Sequence, residues 1–164
     1  MGVLRSLRRM KPTAQSNIEV LRRKIENDPA FAGKVVCLTK TGKEKMSDII
    51  INFAEPLMEK NPSVEVEKML IVFAIGCWNA TLLPDEYKKP FMEDILDAVS
   101  CEGPSMRDTY RIFLRMMMER KQKLFANNRR FVISWNFQEL KDGFHLSIAS
   151  ADVSTVISSG VKSV

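Results

Sequence analysis

One histidine in 164 residues leaves little material for acid–base catalysis near neutral pH. That residue, His145, stands between Phe144 and Leu146 in an alternating segment, so a strand would turn it away from their face and toward solvent. Cysteine is nearly as sparse: Cys37, Cys77 and Cys101 are odd in number, widely spaced and never in a Cys-x-x-Cys pair. The pattern argues against a disulfide framework and a zinc site, and fits free thiols in a reducing, cytoplasmic setting. No Gly-x-x-x-x-Gly-Lys loop, Gly-x-Gly-x-x-Gly turn or His-Glu-x-x-His pattern occurs. Lys40-Thr41-Gly42 matches one box of the serine acyl-enzymes, but the Ser-x-x-Lys that would accompany it, Ser159 to Lys162, falls in the wrong order. Long hydrophobic runs are missing as well. The uncharged stretch Met69 to Leu83 is shorter than the roughly 20 residues that span a bilayer, and Asn79 and Thr81 interrupt it.

These absences point away from an enzyme, and no cofactor or metal is expected. Glu93 and Asp97, one helical turn apart, could place two carboxylates on a divalent cation, but a solvated acidic face meeting a basic neighbour is the plainer reading.

What is present is core material. At 45% hydrophobic and 27% charged, the chain fits one globular body. Its expected extent is 13–152, preceded by a basic arm, residues 1–12, and followed by a tail, 153–164, that is either flexible or an added edge strand. Ser16 to Asn27 reads as a first helix, with Ser16 and Glu19 as a capping box; Lys34 to Leu38 reads as a strand or an extended connector. Thr41 to Glu44 repeats the capping pattern before Met46, Ile49, Ile50, Phe53 and Leu57, with a break expected at Pro56.

Asn61-Pro62-Ser63 restarts the chain into a helix from Val64 to Leu83, apolar on all sides and so expected in the middle of the protein. A helix is expected mainly from Pro90 to Cys101, and a longer one from Met106 to about Ala126, opened by Ser105 and Asp108.

The strongest tertiary signal comes last. Phe131, Ile133, Trp135 and Phe137 alternate with smaller or more polar residues, and Phe144, Leu146 and Ile148 repeat the pattern after Lys141-Asp142-Gly143. This predicts a β-hairpin over 130–150 with one apolar face. A loop from Gln138 to Gly143 would set Phe137 against Phe144, Trp135 against Leu146 and Ile133 against Ile148. A tight Asp142-Gly143 turn would instead oppose Glu139 to Leu146, so the longer loop is preferred. An isolated hairpin is marginal in water, so helices, a third strand or a second copy must cover that face. The expected fold class is α+β, mainly α: about five helices with the hairpin packed on one side. Trp78-Asn79 and Trp135-Asn136 repeat a dipeptide in different contexts; each Trp reads as a core anchor and each Asn as a partner for nearby backbone.

The formal charge of +5 is segmental. Residues 1–12 carry Arg5, Arg8, Arg9 and Lys11 without an acid, beside Val3, Leu4, Leu7 and Met10 on a helical face. A frayed end, a transit peptide, a membrane-surface contact and a basic arm all fit, and Gly2 with Ser6 matches a myristoylation pattern. Residues 63–103 hold eight acids against three bases; residues 104–130 hold eight bases against two acids. Two neighbouring helices complementing each other within the fold explain this arrangement, each surface pair contributing roughly 0 to 1 kcal/mol.

Two functional readings follow. The first is a non-enzymatic interaction or regulatory module whose partner is another protein or a second copy. Self-association would use the hairpin edge or the Met-rich surface, with Met116, Met118, Phe131, Trp135 and Phe144 as contact residues. The alternative is a nucleic-acid-associated accessory protein using the basic arm and a cationic strip of Arg107, Arg111, Arg115, Arg120, Lys121, Lys123, Arg129 and Arg130.

Overall fold

The computed structural model describes residues 44–58, 60–99 and 103–158, together with Arg23 and Asn27. Of the expected first helix at Ser16 to Asn27, only Arg23, which is helical, and Asn27, whose amide donates to the Arg23 carbonyl at 3.0 Å, are described; the segment Lys34 to Leu38, Thr41 of the second cap and the basic arm lie outside the described residues. The described chain is α+β and mainly helical: α1 (Met46–Ala54), a 3-10 turn (Glu55–Leu57), α2 (Val64–Leu82), α3 (Asp85–Val99), α4 (Pro104–Leu124), β1 (Arg130–Leu140), β2 (Gly143–Asp152) and α5 (Val153–Ser158). The strands form an antiparallel hairpin packed against the helices.

Helix α2 is the hub, meeting α1, α3, α4 and β1. Ser63 starts it, its hydroxyl accepting from the Val66 amide at 3.3 Å. Against it α1 turns Met46, Ile49, Ile50 and Phe53, the helical stripe read from sequence, and Pro56 ends that helix in the 3-10 turn. Phe53, Trp78 and Phe125 form an edge-to-face trio with centroids 5.2 to 5.7 Å apart, bringing together α1, α2 and the end of α4. Pro90 does not delay the start of α3, which runs unbroken from Asp85.

The hairpin register differs from the expected one. Its connection is Lys141-Asp142 alone, with Leu140 opposite Gly143, Phe137 opposite Leu146 and Trp135 opposite Ile148. The positive φ falls on Gly143, at 146°, and neither Lys141 nor Asp142 has one, so this is not the primed turn that Asp-Gly signals. Glu139 stands opposite Phe144 after all, and its carboxylate accepts from Lys68 of α2 at 2.8 Å. Phe137 still meets Phe144, diagonally and edge-on, with centroids 5.1 Å apart.

A bulge between Val132 and Ser134 divides β1. Beyond it the inward side changes. Val132 joins the main core, while Phe131 and Ile133 turn to a second cluster with Val153 and Val156. Residues 153–158 are thus neither a loose tail nor an edge strand: they form α5, whose start Asp152 caps by accepting from the Ser154 amide and hydroxyl.

The interrupted backbone at the bulge is completed by α2. Asn79 donates through Nδ2 to the Val132 carbonyl and accepts at Oδ1 from the Val132 amide, both at 2.9 Å, and Trp78 Nε1 donates to the Arg130 carbonyl at 2.8 Å. Replacing Asn79 by Ala leaves two buried peptide groups without partners. It should lower unfolding free energy by about 2–4 kcal/mol in urea titrations; a loss under about 0.5 kcal/mol would show that the hairpin does not depend on this tie.

Candidate functional site

An apolar groove of about 790 Å³ lies between α2, α3, the first half of β1 and α5. Helix α2 supplies Met69, Val72, Phe73, Ile75, Gly76 and Asn79. Helix α3 faces them with Tyr87, Pro90, Phe91, Asp94, Ile95 and Ala98. Phe131, Ile133 and Trp135 form one wall, joined by Val156 and Ile157. Its floor depends on Gly76, where a Cβ would come within 3.0 Å of the Ile95 side chain, so the two helix backbones close together only because that position is bare. The mouth is marked by apolar side chains left in water: Met69 at 44%, Val72 at 37%, Tyr87 at 56% and Ile157 at 42% exposure.

Asn79 faces the groove already engaged, its Oδ1 accepting from the Val132 amide and its Nδ2 donating to the Val132 carbonyl. Asp94 is the one ionisable carboxylate in the lining and is exposed. Volume and lining match those of sites that bury an apolar ligand or side-chain cluster. A smaller cleft of about 250 Å³, beside Thr81, Lys121 and Arg129, is more polar in character.

Four of the eight cations of the strip, Arg107, Arg120, Lys121 and Arg130, are tied to other parts of the fold. Arg107 reaches Asp97, and Glu93 at 2.6 Å, tying α4 to α3. This is the complementarity between the acidic and basic segments expected from sequence, and it occupies the proposed two-carboxylate metal position. Among the described residues, no group of three or more potential ligands comes together around a metal position.

Arg111 pairs with Asp108 at 2.8 Å and Lys123 with Glu119 at 3.7 Å. Arg120 donates to the Asn52 and Phe53 carbonyls at the end of α1, and Arg130 donates to the Glu44 carbonyl. Lys121 is only 3% exposed. Its ammonium lies over the Trp78 ring at 4.4 Å and donates to the Phe125 and Asn128 carbonyls, each at 2.8 Å, while burial holds its pKa below the ordinary lysine value. Arg115 and Arg129 remain exposed.

The self-association set is divided too. Phe144 is buried in the main core and Phe131 in the second cluster, so neither presents a free hairpin face. Met118 packs against the core; Met116 is exposed on α4. Phe131 and Trp135 contribute instead to the groove. Cys77 is fully buried, and burial pushes its thiol up, away from a nucleophile's range. Among the described residues, no helix is long and apolar enough to cross a membrane.

The sequence allows an aromatic-lined small-molecule pocket between the helices and the hairpin but does not place it, because the evenly apolar α2 reads as enclosed on every side. Its Met69 and Val72 edge is open, and the acidic first half of α3 concealed the stripe of Tyr87, Pro90, Phe91 and Asp94 beside it. No protein-family model, no curated protein and no solved structure matches this chain.

His145 is not the solvent-facing spacer expected. It is half-buried opposite Gln138, close to the start of α1, and its pKa lies below the ordinary value of about 6.5 because of burial first and Lys45 second, with Asp48 opposing. The folded state therefore binds fewer protons at this site than the unfolded chain. Its contribution to stability is least below the folded pKa and rises to its full value as pH passes 6.5. Burial raises the Glu67 carboxyl and acts in the opposite direction at lower pH, so the comparison is with His145→Gln. Between about pH 5 and 7 the urea midpoint of the parent chain should rise relative to that of the variant; parallel curves would contradict the assignment.

Proposed function

We propose that this chain is a non-enzymatic interaction module whose contact surface is the groove between α2 and α3. The observation that carries this reading is a long apolar cleft whose lining remains partly in water, although α2 buries Ile71, Ala74, Cys77 and Trp78 completely on its other side. A partner's apolar side chains would remove that surface from water, each well-buried one contributing about 1.5–3 kcal/mol before the cost of ordering the complex.

The reading keeps the interaction role expected from sequence and moves its surface from the hairpin to the helices. Self-association through the hairpin has less support, because Phe131 and Phe144 are already covered within one chain. A nucleic-acid surface has less support as well: Arg107, Arg111, Arg120, Lys121, Lys123 and Arg130 are engaged with carboxylates or backbone carbonyls.

Trp135 lines the groove, whereas Trp78 is fully buried, so tryptophan fluorescence reports on groove occupancy. A neutral amphipathic helix of leucine and glutamine should give a saturable blue shift at micromolar peptide. The shift should be lost in a Val72→Glu, Ile157→Glu double variant that keeps the parent thermal midpoint. Absence of a shift at millimolar peptide, or an equal shift in both proteins, would overturn the proposal.

A further inference from the structure

We infer that the occupant of the groove is an amphipathic helix carrying lysine or arginine on its polar flank. The inference rests on the groove being the contact surface and adds the partner's shape and charge.

Shape comes first. On α2 the lining residues Met69, Val72, Gly76 and Asn79 are spaced by three, four and three, which makes one straight stripe about 15 Å long. On α3 Tyr87, Pro90, Asp94 and Ala98 are spaced by three, four and four, a stripe of about 17 Å. Two helices touching at Gly76 and Ile95 with such stripes side by side leave a trough matching one further helix of about ten residues or more. A compact small molecule would cover only part of it, leaving Met69 or Ile157 at the ends in water.

Charge comes second. Asp94 lies in the lining itself, and among the described residues it has no ion-pair partner. Neighbouring cations are engaged elsewhere: Lys68 by Glu65 and Glu139, Lys88 by Asp85 and Arg107 by Glu93 and Asp97. What remains along α3 is Glu86 and Asp94 against Lys89, with the carboxylate of Asp94 the charge nearest the apolar trough. A cation on the flank of the incoming helix meets Asp94, whereas a carboxylate there meets a like charge.

The test uses the full chain and two helical peptides of about fourteen residues with the same leucine face, one with lysine and one with glutamate on the polar face, read by Trp135 fluorescence. At low ionic strength the lysine peptide should bind about three- to tenfold more tightly, and the ratio should fall toward one at about 0.5 M salt. Asp94→Asn should narrow the ratio at low salt. Equal affinities, a preference for glutamate, or a ratio indifferent to Asp94→Asn would overturn the charge assignment while the neutral peptide still bound. Failure of all three peptides would remove the groove reading as well.

Discussion

The side-chain amide of Asn79 takes the place of a neighbouring strand. At the bulge the peptide groups of Val132 point toward α2, where a helix has no backbone donor or acceptor to spare. Asn79 supplies one of each at 2.9 Å, and Trp78, one residue earlier, holds the Arg130 carbonyl. Buried peptide groups without partners are costly, so the irregular strand is compatible with a dry interface only while these two side chains meet it. Helix and hairpin are thereby fixed at one height and one rotation relative to each other.

That constraint shapes everything next to it. With Val132 pinned, the extra residue of the bulge turns Phe131 and Ile133 away from the main core and toward α5, and a second small cluster forms. The main core gathers the Phe53, Trp78 and Phe125 rings, while the second closes one end of the groove. The groove lies where β1, tied to α2 at Asn79, leaves the Met69 and Val72 edge of that helix uncovered. Gly76 fixes its depth by allowing Ile95 against the α2 backbone. The cleft is therefore a product of the same contacts that stabilise the fold.

Much of this architecture was legible because it depends on local periodicity. The stripe Met46, Ile49, Ile50 and Phe53, the Ser63 start of α2 and the alternating residues of both strands each declare an element and its buried face within a short window. The hairpin register was not legible, since a shift of two residues keeps every side chain on its face. The criterion that separated the alternatives, an acid opposite an apolar residue, failed because Glu139 has its partner on a distant helix, Lys68. The bulge and the extent of the groove were hidden for a related reason: both depend on where the hairpin and α5 meet α2, far away in sequence. Nothing near Ile133 announces that Asn79 will complete its neighbour's hydrogen bonds. Nor does the even apolarity of α2 tell which edge is left open.

The same distinction governs the basic character of the chain. A run of eight cations against two acids suggests an outward-facing electrostatic surface when read along the sequence. In space, most of those cations act at short range within the fold. Arg107 joins α4 to α3, Arg120 closes the end of α1, and Lys121 holds the chain reversal after α4 through two carbonyls and the Trp78 ring. Backbone carbonyls at helix ends attract cations because their dipoles are unopposed, and each cation that settles there is held in place rather than free to reach an outside phosphate. On α4, Arg107, Arg120 and Lys121 serve as scaffold while Arg115 and Lys123 stay in water, and in the groove lining the exposed charge is the carboxylate of Asp94.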